Sequence, residues 1–555
     1  MEKGAHQELL ERTDAAGVNR VLLRVVRLLF VPFFRVYFRL GRIGREHVPK
    51  TGPVIFAANH RSFLDPFVIA TLAPRPIYFV AKKELFEASR IQRWFLNGLG
   101  AFPIDRGTGD NAAMTVARRI LERGDCVMIF PEGTRVRPGP LGRPRRGVGR
   151  LALETGAAVV PVAVHGTDDV RRGWRIYPRR VTVRAGAPLT FPQVDKPSAA
   201  LAKAVTDRVW PCVELQWEWL GGTAPVRRVA VVGAGSWGTS LAVALARSGV
   251  EVELGCRTAE QAQIVEKARA NARYLPGVAL PEAVRVITAA DLDLVSADVV
   301  CLAVPTRALP AATAQIADRL GPKTSLLVLS KGLVGPAGEL PVTYCAARAG
   351  GRPVACLGGP AHAADALEHG AAVVVACADG EQTARLRAVF AQAGFDVETT
   401  RDVEGVDLAG VAKNAAVLAA ATASVLGPNA AGAAAGKVFS EVAAYAGALG
   451  GKPETWTGLA GAGDLVASVV AANGRNRRAG EMLARGVQAA EVGAAIGQVA
   501  ESLDTLPLLV RALEQRGVRA PATRALADVV EGRGSALSFA EQVTAPRRIV
   551  GTRVA

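Results

Sequence analysis

The stretch Val229-Ala-Val-Val-Gly233-Ala-Gly235-Ser236-Trp237-Gly238 decides how the rear of this chain folds. Four apolar residues read as a buried strand, and Thr239-Ser-Leu-Ala-Val-Ala-Leu-Ala opens a helix. Between them stand three glycines, each with its own steric reason. Gly233 permits the tight turn, Gly235 lets backbone approach a pyrophosphate, and Gly238 lets the helix pack on the strand. The helix N-terminus then offers free N–H groups and a positive dipole end to phosphate. A glycine triplet alone also fits an ordinary loop. Strand, turn and helix in succession point to a dinucleotide-binding unit.

Such a unit normally opens its own domain, and here 228 residues come before it. The length of 555 residues agrees with about three to four domains. Half of the residues are hydrophobic, which is enough for large cores. No stretch of 18 apolar residues is free of charge, so no transmembrane helix is expected. The opening Met-Glu-Lys-Gly-Ala-His-Gln-Glu lacks the pattern of a signal peptide. Seven scattered cysteines without a Cys-x-x-Cys read as reduced thiols, and the six histidines form no metal-ligand cluster. The net charge of +17 sits mostly in front: residues 1–225 hold 35 Lys and Arg against 20 Asp and Glu. The front therefore meets something anionic, and no nucleic-acid motif accompanies the charge.

Residues 18–45 explain part of that charge. At 100° per residue, Arg20, Arg24, Arg27, Arg35, Arg39 and Arg42 share an arc of about 120°, opposite Leu, Val and Phe. The pattern predicts a basic amphipathic helix, kinked at Pro32, over the segment 1–45. It lies on an anionic membrane surface, or it packs on its own domain with a solvated arginine face.

Next, Val54-Ile-Phe-Ala-Ala reads as a strand running into Asn59-His60-Arg-Ser-Phe-Leu-Asp65. A carboxylate beside an imidazole fixes its tautomer and raises its basicity, so the other ring nitrogen can take a proton from a hydroxyl. A capping aspartate and a loop histidine would look the same. Three further strands follow: Gly100-Ala-Phe-Pro-Ile-Asp-Arg106, Val127-Met-Ile-Phe-Pro-Glu132-Gly133-Thr134-Arg135, and Val159-Val-Pro-Val-Ala-Val164. In order and spacing these blocks, over about residues 40–215, resemble the glycerolipid acyltransferases. The resemblance implies His60 as general base on a glycerol hydroxyl, oriented by Asp65, with an acyl thioester as donor. It places Arg106 and the turn Glu132, Gly133, Thr134 and Arg135 on the acceptor phosphate, where the arginine fork donates two hydrogen bonds. The arginines 135, 137, 143, 145, 146 and 150 meet acyl carrier protein or CoA phosphates, or are a solvated loop. Residues 198–220 read as an apolar helix with Trp210, Trp217 and Trp219, before a short linker, Gly221-Gly-Thr-Ala-Pro225.

Behind the glycine turn, strands at 250–254, 284–287, 298–304, 325–330, 354–357 and 371–377 alternate with helices. That alternation predicts a doubly wound parallel sheet of Rossmann type. Arg257 follows the second strand where an acid would suit NAD; it fits the 2′-phosphate of NADP or is a surface arginine. From about 403 the pattern is helical. Lys413-Asn414 stands in an apolar helix, where a lysine is costly unless paired or functional. Gly458-Leu-Ala-Gly-Ala-Gly-Asp464 supplies an acid, and Asn473-Gly-Arg475-Asn476-Arg-Arg a phosphate-binding turn. With Asn271-Ala-Arg-Tyr-Leu-Pro-Gly, Ser330-Lys331-Gly and Gly358-Gly359-Pro-Ala, this half resembles the NAD(P)-dependent glycerol-3-phosphate dehydrogenases over about 226–550.

That resemblance implies Lys413 as acid/base at the substrate C2 oxygen. Lys331 and Asp464 would line the substrate, with Arg475 and Asn476 on its phosphate. Gly359 would pass close to substrate. Ala363, Val499, Glu501 and Trp237 would contact the cofactor, with Lys331 and Arg475 also beside it. The sequence departs from the family at Ala361, His362, Gly474 and Ser502, where serine, phenylalanine, serine and glycine are usual. The missing hydroxyl at 361 removes one substrate contact.

The architecture expected is therefore α/β: a membrane-surface helix (1–45), an α/β acyltransferase domain (46–222), a Rossmann domain (226–402) and an all-α substrate domain (403–555). The activity expected is reduction of dihydroxyacetone phosphate to sn-glycerol 3-phosphate with NADPH or NADH. Acyl transfer from acyl-CoA or acyl carrier protein, to glycerol 3-phosphate or its 1-acyl ester, goes with it. A rival assignment makes the front half a non-catalytic membrane-binding module. The expected place is cytoplasmic, peripheral on the inner face of the membrane. No metal and no nucleic acid are expected, and a homodimer is left open.

Overall fold

The computed structural model describes residues 17–82, 84–87, 89–104, 111–136, 139–471, 474–497 and 499–545. Arg106, Arg137, Asn473 and the first sixteen residues of the expected N-terminal helix lie outside them. The chain forms two compact units, one up to Ala224 and one from Pro225 onwards.

The front unit is built on strands β1 (Gly41–Ile43), β2 (Val54–Ala58), β3 (Ile77–Lys82), β4 (Ala101–Ile104), β5 (Cys126–Ile129) and β6 (Ala158–His165). A short hairpin, β7 (Arg171–Arg172) with β8 (Arg175–Ile176), precedes β9 (Thr182–Ala185). The sheet order is β1-β9-β6-β2-β5-β3-β4. Strands β2 to β6 run parallel, and β9 with β1 runs against them. Alternation along β2 serves two cores. Val54, Phe56 and Ala58 pack on one side with Phe34, Phe38 and Ile69. Ile55 and Ala57 pack on the other with Ile120, Leu151, Trp210 and Trp217. The helix Ala199–Trp219 closes that second face, and Trp219 points to solvent.

The N-terminal helix is shorter than expected and turned differently. It spans Arg20–Tyr37 and runs on through Pro32, with Asn19 accepting from Val21 and Leu22 N–H as N-cap. Arg39 stands beyond it with φ of 46°, and Arg42 lies in β1. Arg27 turns inward and donates to the carbonyls of Ala70, Ala73, Pro74 and Arg75. Arg42 donates to Thr71 O and Arg45 to Leu72 O. These carbonyls end the turn after the helix Asp65–Ile69, and cations satisfy such groups well. What the helix leaves open is apolar. Val21, Val25, Leu28, Leu29 and Val36 are exposed, Leu28 at 75 % and Val36 at 81 %. They share an arc of about 100° beside the exposed Arg20, Arg24 and Arg35.

The rear unit carries eight strands: β10 (Arg228–Val232), β11 (Glu251–Cys256), β12 (Val284–Thr288), β13 (Val299–Leu302), β14 (Ser325–Val328), β15 (Val354–Gly358), β16 (Ala372–Cys377) and β17 (Asp396–Thr400). Their order is β12-β11-β10-β13-β14-β15-β16-β17. The first six in sequence are parallel; β16 reverses against β15, and β17 follows β16 in parallel. The sheet is thus mixed at one edge, where a wholly parallel one was expected. Helices then take over from Val403. The 21-residue helix Val403–Ala423 is almost wholly buried, ringed by the helices Pro428–Ala448, Asp464–Val470, Arg475–Ala484 and Glu501–Gln515. Among the described residues, Val403–Leu426 is long and apolar enough to cross a membrane, but its neighbours cover it as a core helix.

Candidate active sites

In the front unit, β2 ends at Ala58 and delivers His60 to a loop pinned from three sides. His60 Nδ1 lies 2.8 Å from Asp65 Oδ2. That oxygen also accepts from Arg61 N at 2.6 Å and Ser62 N at 2.7 Å. A carboxylate oxygen so surrounded only accepts, so Nδ1 carries the hydrogen and Nε2 keeps its lone pair. Thr167 Oγ1 donates to the other carboxylate oxygen, Asp65 Oδ1, at 2.6 Å. Phe130 stacks on the imidazole with ring centroids 4.0 Å apart.

The second pin is Glu132. Its carboxylate accepts from His60 N at 2.7 Å and from Gly142 N at 2.7 Å. Val136 N donates back to His60 O. Glu132 was expected on the acceptor phosphate; in the structure it holds the histidine loop instead, as a buried carboxylate satisfied by amides would. Burial pushes it up to about 7, against the pull of the Gly142 and His60 N–H groups and Arg61. Arg61 reaches the carbonyls of Val136, Gly139 and Pro140, and its guanidinium covers Trp217 at 4.8 Å. Beside this frame, Thr134 and Arg135 are exposed. Arg145 lies over Gly133, whose φ is +70°.

Glu132→Gln keeps the shape but leaves one of the two amides facing an NH₂ group. The front unit should lose about 1–3 kcal/mol of stability, and acyl transfer should fall with it. The pH dependence has a definite sign. A carboxyl raised to about 7 when folded stabilises below its unfolded value and loses that contribution as pH rises through 7. Thermal unfolding of the wild type between pH 5 and 8 should show this decline, and the glutamine variant should flatten it.

In the rear unit, two lysines share one buried carboxylate. Lys331 Nζ lies 2.8 Å from Asp464 Oδ2 and Lys413 Nζ 3.2 Å from Oδ1. Lys413 also donates to Ser468 Oγ at 3.2 Å, one turn beyond Asp464. Asn414 Nδ2 donates to Lys331 O and fixes that backbone. A π-turn, Leu459–Gly463, aims Asp464 at this point. Burial lowers Lys413 to about 8, with Asp464 opposing and Lys331 assisting. Burial alone would raise Asp464; Lys331 and Lys413 outweigh it and hold the carboxyl at about 2.

A cavity of about 1410 Å³ opens along the ends of β10, β11 and β13. Gly233, Gly235, Ser236, Trp237, Gly238, Arg257, Arg475, Val499 and Glu501 all line it. A Cβ on Gly238 would meet Gly233 O at 2.1 Å, whereas the space at Gly235 is open. A strand-to-helix turn with that open face fits a dinucleotide pyrophosphate at the start of the helix Ser236–Arg247. Glu501 accepts from the amide and hydroxyl of Thr306, and Arg475 reaches Val499 O at 3.3 Å. Asn476 Oδ1 accepts from Ser502 Oγ at 2.7 Å. Ala363 O accepts from Ser240 Oγ, which ties its helix to the one behind the glycine turn. The tight approach at Gly359 is to the adjoining strand β16: a Cβ there would meet Ala372 O at 2.8 Å.

Three participants escape sequence reasoning. Thr167 stands 102 residues beyond Asp65, and Phe130 sits before the polar turn. Neither carries a local signal. Ser468 lies four residues after Asp464 and could have been found from helical spacing.

Comparison with known proteins agrees with this division. Residues 40–165 match the acyltransferase family model. Residues 228–384 and 402–541 match the N-terminal and C-terminal models of NAD-dependent glycerol-3-phosphate dehydrogenase. Glycerol-3-phosphate dehydrogenase [NAD(P)+] of Streptomyces griseus is 37% identical over 325 residues, which is 58% of this chain and 96% of that protein. The enzyme of that name from Geobacillus kaustophilus is 35% identical over 312 residues, 55% of this chain and 90% of its own. A crystal structure of glycerol-3-phosphate dehydrogenase from Coxiella burnetii aligns with a TM-score of 0.55 at 29% identity, over 57% of this chain and 98% of that one. The chain belongs to the NAD(P)-dependent glycerol-3-phosphate dehydrogenase family and carries an acyltransferase domain in front of it.

Proposed function

We propose that the rear unit reduces dihydroxyacetone phosphate to sn-glycerol 3-phosphate, and that the front unit acylates that product or its 1-acyl ester at a membrane surface. The observation that carries the first step is the pair of lysines on Asp464. Lys413, lowered to about 8, is a proton donor matched to neutral pH. It gives its proton to the C2 oxygen, and Asp464 holds it in place. Arg475 and Asn476, at the start of the helix Arg475–Ala484, hold the phosphate. The nicotinamide cofactor, NADPH or NADH, supplies hydride when bound in the cavity beside the glycine turn. Arg257 lines that cavity and suits the 2′-phosphate of NADPH.

In the front unit His60 Nε2 takes the proton of the acceptor hydroxyl. The oxygen forms a C–O bond to the thioester carbonyl carbon, the C–S bond breaks, and the thiolate leaves with the proton from His60. Arg135 and its exposed neighbours Arg143, Arg145 and Arg146 meet the phosphates of the acceptor or of CoA, or an acidic acyl carrier protein. The seven free thiols suit a reducing, cytoplasmic setting. NADPH oxidation that depends on dihydroxyacetone phosphate tests the rear step directly.

The membrane part rests on the apolar arc of the helix Arg20–Tyr37. An apolar stripe open to solvent beside exposed arginines suits the boundary between lipid headgroups and chains. Removing the whole segment would not test this, because Phe34, Phe38 and Leu40 are core residues. The triple change Val25→Glu, Leu28→Glu and Val36→Glu leaves the core intact. In co-sedimentation the wild type should pellet with phosphatidylglycerol vesicles, and the variant should stay in the supernatant. Salt alone should release only part of the wild type, since each basic residue adds about 1 kcal/mol and the apolar arc the rest.

A further inference from the structure

The short hairpin of β7 and β8 holds an indole out in solvent beside the N-terminal helix. Trp174, in its turn, is 83 % exposed and joins neither of the front unit's two cores. The Arg175 guanidinium lies over its ring, 5.2 Å from the centroid. Arg171 braces the turn: its Nε donates to Gly173 O at 2.7 Å, and its guanidinium lies over Phe63. Tyr177 N donates to Val170 O and closes the hairpin. Ile176, in β8, is half exposed as well.

Two contacts join this hairpin to the apolar arc of the helix Arg20–Tyr37. Tyr37 Oη donates to Ile176 O at 2.9 Å. Phe33 stacks on Tyr37, with ring centroids 5.2 Å apart, and is itself half exposed. At 100° per residue, Phe33 stands about 60° from Val36, and Tyr37 about 40° further on. The open apolar surface therefore runs on from Val36 through Phe33 to Ile176 and Trp174. Arg24 and Arg35 stand on the far side of the arc. On the near side Arg175, Arg179 and Arg180 are exposed, and no acid occurs between Asp169 and Asp195. The apolar strip thus has cations along both sides.

A second copy of the front unit would bring like charge to this strip, since residues 1–225 hold 35 Lys and Arg against 20 Asp and Glu. An anionic bilayer brings the opposite charge and suits both parts of the strip. Headgroup phosphates accept from guanidinium forks, and an indole favours the boundary between headgroups and chains. We propose that the hairpin is a second membrane anchor of the front unit, seating Trp174 and Ile176 in an anionic lipid surface beside the helix. The proposal rests on the reading of that helix as a membrane contact. A helix lying alone on a surface leaves the unit free to rock about the helix axis. An insertion to one side of the axis removes that freedom and fixes which face of the unit meets the lipid.

The test is co-sedimentation of the full chain with phosphatidylglycerol vesicles over a range of lipid concentrations. Trp174→Asp should weaken binding by ~10-fold or more, because the wild-type ring leaves water on binding and a carboxylate does not. Its thermal unfolding should match the wild type, since the position is exposed. Trp174→Phe keeps an apolar ring and should bind nearly as the wild type does. Vesicles of phosphatidylglycerol with brominated chains then locate the indole. They should quench wild-type tryptophan fluorescence, and Trp174→Phe should lose part of that quenching. Wild-type affinity in Trp174→Asp, or equal quenching in the wild type and Trp174→Phe, would overturn the hairpin anchor and leave the helix anchor standing. A wild type that stays in the supernatant would overturn the membrane reading itself, and the hairpin anchor with it.

Discussion

Lys413→Met should cut reduction of dihydroxyacetone phosphate by at least ~10²-fold and leave NADPH affinity nearly unchanged. Ketone reduction leaves negative charge on the C2 oxygen, which needs a proton as hydride arrives. Lys413 is buried, is paired with Asp464 at 3.2 Å and is lowered to about 8. Methionine keeps the length of the chain and removes the proton. It also removes a buried charge whose partner retains Lys331 at 2.8 Å, so the fold should survive. The cavity at the glycine turn, where cofactor phosphates would sit, is not lined by Lys413 or Asp464. The pH profile carries the sign. Reduction needs the ammonium form, so its rate should fall as pH rises above about 8; oxidation needs the neutral amine and should rise through the same interval. Steady-state rates in both directions, with NADPH titration of the variant, measure all of this. Near-normal turnover in Lys413→Met would pass the proton to Lys331 or a water.

His60→Ala should abolish acyl transfer, a loss of ~10²–10⁴-fold, while reduction stays at the wild-type level. The two sites lie in separate compact units. Asp65 keeps three other donors, the amides of Arg61 and Ser62 and the hydroxyl of Thr167, so its loop should hold its shape without the imidazole. Acyl transfer from a labelled thioester, assayed beside NADPH oxidation in one preparation, separates the effects. Retained acyl transfer would move the base to another residue.

How legible each feature was depended on whether its physics is local. The glycine turn could be read directly, because a Cβ at Gly238 has no room and the space at Gly235 is open. Lys413 stood out because a charge on an apolar helix demands a partner. Asp464, 51 positions away on another helix, could be read as an acid, but spacing could not pair it with Lys413, and Ser468 did not come at all. Thr167 and Phe130 were invisible for the same reason: tertiary folding, not spacing, brings them to His60 and Asp65. The run Ala372–Cys377 announced a buried strand but no direction, so the reversal of β16 could not be foreseen. Periodicity at residues 20–42 separated an arginine side from an apolar side. It could not tell that Arg27 and Arg42 meet carbonyls of 70–75 and that the apolar side stays open.

The central claim is that one chain both makes and acylates the glycerol phosphate backbone. The purified chain, given dihydroxyacetone phosphate, NADPH and a labelled acyl thioester, tests it in one vessel. The account predicts NADPH oxidation and label in lysophosphatidate, or in phosphatidate once unlabelled lysophosphatidate is added. NADPH oxidation with no labelled phospholipid in either arm would contradict it.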